Sequence, residues 1–566
     1  MSQAYTRRDF LNVSWKLSAG VVLPATLASC GGGNNAPDAA ATNETFVEPL
    51  RLVAQDGLLD YTLRMVYADL NLRGQPVHLR TYNAMVPAPT LQVRAGETLR
   101  IHVVNDLPPN PQSAEPAEHL RYMNSANLHT HGLHVAPGLV GENLYGDYVV
   151  DSSESAVQPG QSRQHEYAIM ADHPAGTSWY HPHLHGATAV QVASGMAGAI
   201  VITGPLDDVP EIAAARDRVM MFQAPIFDAK GLLESFSQVA NPDAEPPFLI
   251  NGVRRPTLVL RPGQIERWRL INAGIANYLH LALDQHSLHL IALDSCPRSQ
   301  PKTYAPGAAE GLVLAPGNRA DILVQAGAPG RYALSTKPYD MGFPAPLAED
   351  ILAYIVVEGA PMAMALPAGP LPVSAVLKPI SDEELAAHGG LRRNIVLRSV
   401  FNNSGAPLQE APAADALDLP PGELDQWQYQ TDATFMADTA FTMGAGGSTA
   451  STHPAMPDRL APFQSHRAVC QTVSLNSVEE WTVYNMNQVQ HPFHIHINPF
   501  EVVKINGLAV TPYWADTIGL PRGGSPETPT SVTFRTRFSD FSGAYVMHCH
   551  ILAHEDMGMM QIVEVV

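Results

Sequence analysis

The sequence predicts an all-β protein made of three Greek-key β-sandwich domains. Three observations lead there. A strand-like pattern recurs at wide spacing along 566 residues, a chain too long for one core. The recurring stretches are short, rich in β-branched and aromatic residues, and bounded by turn residues. Proline (48) and glycine (42) are plentiful, as many short strands joined by turns require.

Taken from the N-terminus, residues 1–29 read as an export signal. "TRRDFLN" at 6–12 precedes a mostly apolar run too short to span a bilayer. The Arg7–Arg8 pair resembles a twin-arginine signal, with Thr6 and Asn12 where Ser and Lys are common. "LASC" at 27–30 resembles a bacterial lipobox, which implies a lipid anchor on Cys30; a plain cleaved signal with an incidental cysteine is the alternative. Residues 30–44 read as a flexible tether. The expectation is a periplasmic or otherwise extracytoplasmic, membrane-anchored lipoprotein, exported by the twin-arginine machinery.

The repeat sets the domains. Residues 93–105 (VRAGETLRIHVVN), 260–272 (LRPGQIERWRLIN) and 473–485 (VSLNSVEEWTVYN) each run from a turn through an alternating strand to a closing Asn. Gly96 to Asn105, Gly263 to Asn272 and Asn476 to Asn485 are each nine apart. Such wide spacing indicates three copies of a whole domain rather than a solenoid, placed at 45–207, 208–372 and 373–566. "ISDEELAAHG" at 380–389 is the clearest helix, and 444–462 reads as a long loop inside the third domain. The net charge of −20 argues against nucleic acid as a partner; its simplest meaning is solubility. Cys296 and Cys470 could pair in an oxidising compartment, but sequence separation does not decide it.

The chemistry lies in the histidines. They cluster in "HTHG" (129–132), "WYHPHLHG" (179–186), "HPFHIH" (491–496) and "HCHILAH" (548–554). Two clusters fall in the first domain and two in the last, which implies a metal centre where those domains meet. Positions i and i+2 of a strand share a face. So His129 with His131, His181 with His183, His494 with His496 and His548 with His550 can each share a site. Cys549 must point away from its flanking histidines, His491 can face away from His494, and His554 can return to Cys549 after a turn. Two sites follow. His491, Cys549 and His554 with a weak axial Met form the ligand set of a blue-copper electron-transfer site. The eight imidazoles suit a copper cluster of up to three ions and match zinc sites poorly.

These four motifs resemble the copper-binding motifs of three-domain multicopper oxidases, the group of laccases, bilirubin oxidases and periplasmic cuprous oxidases. The repeats resemble that family's cupredoxin-like domains. The resemblance implies four copper ions: type 1 copper at His491, Cys549 and His554 with Met559 axial (Met557 and Met560 being runners-up), type 2 at His129 and His494, and two type 3 ions at His131, His181, His183, His496, His548 and His550. His134 and His185 lie beside the motifs and are not carried over. The resemblance also implies that single electrons enter at type 1 copper and that dioxygen takes four at the cluster. Cys549, bonded through the chain to His548 and His550, links the sites, and Glu555 is expected to relay protons or to order the ligands.

The function expected is one-electron oxidation of phenolic or similar small-molecule donors coupled to reduction of O2 to water. A metallo-oxidase for Cu(I), Fe(II) or Mn(II) is the rival, and a non-enzymatic periplasmic copper-sequestering protein the second. Met362, Met364, Met436 and Met443 are candidate Cu(I) ligands, but their sparse spacing reads better as packing or loop.

Overall fold

The computed structural model describes residues 44–110, 122–150, 152–240, 246–308, 310–342, 347–401, 439–446, 460–461, 471–525 and 528–566. The export signal, Cys30, most of the tether, Met436 and Cys470 lie outside them.

The repeat of the sequence is a repeat of structure. Strands between 51 and 203 form two sheets, those between 216 and 357 two more, and those between 392 and 565 a further two. In each pair the recurring segment is an inner strand: Thr98–Asn105, Ile265–Asn272 and Ser477–Asn485. Each pairs in parallel with an earlier strand, setting Met65 beside Asn105, Phe222 beside Asn272 and Leu397 beside Asn485. The chain is therefore all-β with three stacked-sheet units, and among the described residues its helices are short.

The closing Asn explains why the pattern recurs. Asn105 donates from Nδ2 to the carbonyls of Asn124 and Val157 and accepts from Leu107 N. Asn272 donates to Asn277 and Leu314 and accepts from Gly274 N. Asn485 donates to Val489 and Pro521 and accepts from Asn487 N. One buried amide thus satisfies three backbone groups where the strand ends, and an apolar residue would leave them unpaired. Domains two and three share a further device. Trp268 and Trp481 donate to Glu266 and Glu479, which in turn receive Arg218 and Arg393.

The predicted helix spans Asp382–Ala387, with Ser381 Oγ accepting from Glu384 N as its cap. The stretch read as a loop at 444–462 is partly strand: Thr439–Gly446 runs into it, and Leu460–Ala461 pairs with that strand. Its glycines hid the strand because they lack alternation. Thr45 and Phe46, placed at the start of the first domain, bridge to Thr257 of the middle one.

The middle unit is locked to the first through charge. Arg267 and Arg269 reach Asp207, Asp321 and, from Arg269, Asp217, while Thr177 Oγ1 donates to Asp321. Removing one partner from such a buried set costs about 3–5 kcal/mol by stranding a charge. Cys296 is a buried free thiol whose Sγ donates to the Asp294 carbonyl at 3.3 Å.

Candidate metal centre

One HxH pair lies wholly on a strand. His129 and His131 are the ends of the strand His129–His131. In the other three pairs the first histidine lies on a strand (Gly176–His181, Pro492–Ile495 or Gly543–Cys549) and the second just beyond it. Cross-strand register does the remaining work: His129 stands opposite His181, and His494 opposite His548. All eight imidazoles are buried. They fall into three groups whose ligand atoms lie within 4.8 Å of one another: His129, His131 and His494; His131, His181 and His550; and His183, His496 and His548.

The outer nitrogens of His129, His131, His181, His494 and His548 are hydrogen-bonded, which decides what their inner ones can do, whereas Nδ1 of His183 and His496 has no hydrogen-bond partner. His129 Nδ1 faces the Asp147 carboxylate at 2.9 Å, and His496 Nδ1 lies 3.4 Å from the same group. His181 Nδ1 donates to Pro182 O at 2.8 Å, and His494 Nδ1 to Asp516 O at 2.8 Å. His548 Nδ1 donates to Cys549 O at 3.1 Å. The inner nitrogens have no hydrogen-bond partner: Nε2 of His129, His181 and His494, Nδ1 of His131, and both nitrogens of His550. Nε2 of His183, His496 and His548 converge instead, His548 lying 3.1 and 3.2 Å from the other two. Burial pushes His129, His131, His181, His183, His496, His548 and His550 below the ordinary histidine range, His183 to about 4. Neutral imidazoles with buried, unpartnered lone pairs are costly unless a cation takes them. The residues fit metal.

The second pocket is smaller. Cys549 ends its strand, His491 precedes Pro492–Ile495, and His554 sits on the one-turn helix Leu552–Asp556. His491 Nδ1 is 3.3 Å from Cys549 Sγ and 3.3 Å from His554 Nδ1, and the Sγ to His554 Nδ1 distance is 3.7 Å. The point equidistant from the three atoms lies about 2.0 Å from each, the length of an imidazole–metal bond. Asn487 Nδ2 meets His491 Nε2 at 3.1 Å, so the outer nitrogen is held by a neutral group. Burial pushes the Cys549 thiol up and His491 down to about 3. Without metal the pocket is therefore a neutral thiol between neutral imidazoles. His554 is the one ligand of the three that is not fully buried.

Met559 follows from register. His548 pairs with Met560, and the Met559 backbone bonds both Cys549 and His554, so Met559 stands across from Cys549 on the same face. Met560 packs into a separate cluster with Val149 and Val546. Glu555 is fully buried, with its oxygens 3.5 Å from His183 Nδ1 and 3.1 Å from His548 Nδ1. Burial raises its pKa.

Several residues at the site carry no sequence signal. Asp147, Asp516 and Thr517 support ring nitrogens, and Asn127 pins His183 by its backbone at 2.7 and 3.1 Å. Asp556 accepts from the backbone N–H groups of Gly186, Thr188 and Ala189, fastening the third domain to the first. Gly317 of the middle domain forms a wall: a Cβ there would lie 2.9 Å from His550 Nε2 and 3.0 Å from His131 Cε1. His134 stands outside the cluster, between Ile497 O and Asp540, and His185 belongs to none of its groups.

Three segments match family models described as multicopper oxidase, at residues 118–207, 227–360 and 432–566. A laccase of Neurospora crassa is 23% identical, covering 84% of this chain and 72% of its own length. A laccase of Bacillus subtilis is 23% identical, over 87% and 90%. The multicopper oxidase mco of Staphylococcus haemolyticus is 23% identical, over 86% and 83%. Among solved structures, a multicopper oxidase of Campylobacter jejuni described as a metallo-oxidase superposes with a TM-score of 0.67 at 23% identity, covering 93% of this chain and 96% of that one.

Proposed function

The chain belongs to the multicopper oxidase family and is a copper-dependent oxidase with dioxygen as acceptor, and from that premise we propose that it takes single electrons from phenolic or similar organic donors. The observation that carries the reading is the place of Cys549. Its thiol faces His491 and His554, while its chain neighbours His548 and His550 face the imidazole cluster. Bound copper supplies the one-electron acceptor and the oxygen-reducing chemistry, and the protein supplies geometry and potential.

On this reading the chain binds four ions. His491, Cys549 and His554 with Met559 would hold one, and His129 with His494 a second. His131, His181 and His550 would hold a third, and His183, His496 and His548 a fourth. The least buried ligand, His554, faces the donor side. The bonds from Cys549 Sγ through the backbone to His548 and His550 give a short covalent path between the groups. Glu555 holds a proton beside His548 Nδ1 and His183 Nδ1, where reduction of O2 to water consumes four. Glu555→Gln should keep its copper and colour, lose turnover by roughly 10²-fold, and change the pH profile; unchanged turnover and profile would remove that role.

For the donor, Met364 supports an organic one. The Met364 sulfur accepts from Ile265 N at 3.2 Å and packs against the cluster of Leu206, Ile265 and Leu371, so that methionine belongs to packing. A Cu(I), Fe(II) or Mn(II) donor is the second reading, favoured by the net charge of −20 and by the neighbour described as a metallo-oxidase. Oxygen uptake by copper-loaded protein separates them, with Cu(I) and a dimethoxyphenol compared under chelator control. Higher catalytic efficiency with the phenol supports the first reading; higher efficiency with Cu(I) replaces it with the second. Export by the twin-arginine route and anchoring through Cys30 complete the proposal. Mass spectrometry of the mature N-terminus tests them, and an unlipidated N-terminus would remove the anchor.

A further inference from the structure

We propose that the Thr517 hydroxyl, oriented by Asp516 and by Arg319 of the middle domain, selects which ring nitrogen His131 and His494 offer to the cluster. The inference rests on the oxidase reading above. His494 and Thr517 are cross-strand neighbours, which brings the hydroxyl between two histidines. Its oxygen lies 3.0 Å from His494 Nδ1, 3.2 Å from His131 Nε2 and 2.8 Å from Asp516 Oδ1.

A hydroxyl has one hydrogen and two lone pairs. The hydrogen must go to Asp516, because both oxygens of that carboxylate already receive the Arg319 fork, at 2.7 and 2.5 Å, and act as acceptors. Both lone pairs then face the histidines, so both contacting ring nitrogens must carry N–H. His494 Nδ1 agrees independently, since it also donates to the Asp516 carbonyl at 2.8 Å. The consequence is fixed at the far side of each ring. His494 presents a bare Nε2 and His131 a bare Nδ1, and these are the two atoms left without a hydrogen-bond partner. One hydroxyl thus sets opposite tautomers on two neighbouring ligands, and every donor and acceptor around it is used.

The orienting charge comes from a domain with no ligand of its own. Arg319 is fully buried and also contacts Asp294 at 3.3 Å. Asp294 accepts from Thr517 N, and Asn318 donates to Thr517 O at 2.9 Å. The Gly317–Arg319 turn therefore holds both the backbone and the side chain of Thr517. The middle domain acts here as a positioning element.

The test uses copper-loaded full chains. Copper per chain and its rate of release to a chelator are measured beside the blue absorption of the Cys549 pocket, with melting of the metal-free chain as a check on folding. Thr517→Val keeps the shape and removes the hydroxyl. It should release cluster copper at least about tenfold faster while the blue absorption stays. Thr517→Ser should restore release to within about twofold of wild type. Arg319→Lys keeps the charge but loses the fork, and should fall between Val and wild type. Wild-type release from Thr517→Val, or equal losses from Val and Ser, would overturn the inference. Wild-type release from Arg319→Lys would remove the middle domain's part in it. A wild-type chain that takes up no copper would overturn the oxidase reading, and this inference with it.

Discussion

The Cys549 pocket and the imidazole cluster both rest on buried histidines but are assembled at different distances. His491 and His554 are 63 positions apart and share one domain with Cys549. His183 meets His548 across 365 positions, and the cluster is closed only when the first and third domains meet. The supports differ as well. His491 is backed by the neutral Asn487 amide. The cluster is backed by the carboxylates of Asp147 and Asp516 and by the carboxyl group of Glu555. A local pocket can be set by one sheet and one helical turn. A site between domains needs charged and hydrogen-bonding supports that reach across, because each ring must be fixed from a different piece of chain.

The largest effect should come from breaking the joint between the two. Cys549→Ser should abolish the blue absorption and drop oxygen uptake to below about one hundredth, while cluster copper stays bound. Elemental analysis beside the spectrum checks it; retained intense blue colour would sink the linkage through Cys549. The converse variant acts on the cluster alone. Asp147→Ala removes the group facing His129 and His496, and should speed loss of cluster copper by about 10–100-fold with the blue site intact. Equal loss at both sites would show that the pockets are not independently built.

The smallest effect is one of pH on metal-free protein. Burial holds His165 and His173 at about 4, against a usual 6.5, and pushes most of the cluster histidines down too. Between pH 6.5 and about 4 the unfolded chain binds protons that the folded chain refuses. Stability is therefore full above 6.5 and falls with pH through that window. The melting temperature of the apo protein should drop on acidification. Copper should raise the melting temperature overall but leave the drop at least as steep, since a ligating imidazole refuses protons too. A flat profile over that range would mean the imidazoles reach solvent.

How much of this was legible depends on what kind of contact carries it. The three-unit architecture was readable because one buried Asn closes the same strand in each unit, and a backbone need repeated thrice leaves the same letter thrice. The strand at Thr439–Gly446 was not, because its glycines show no alternation. Three of the four HxH pairs leave their strand between the two histidines, so period two was only half the reason they converge. Asp147, Thr517 and Asp556 belong to no repeated spacing, and nothing about an acid or a hydroxyl in sequence says which distant ring or backbone group it will face.

By itself, the sequence determined the all-β class, the threefold repeat and the inventory of soft and imidazole ligands, since periodicity and residue chemistry are local properties. Only the tertiary structure decided the grouping of eight imidazoles into three sets, the nitrogen each ring leaves free, and the entry of Gly317 and Arg319 into the wall of the site. Those depend on hydrogen bonds and close approaches between segments hundreds of residues apart. Their partners are chosen by how the sheets pack, not by spacing along the chain.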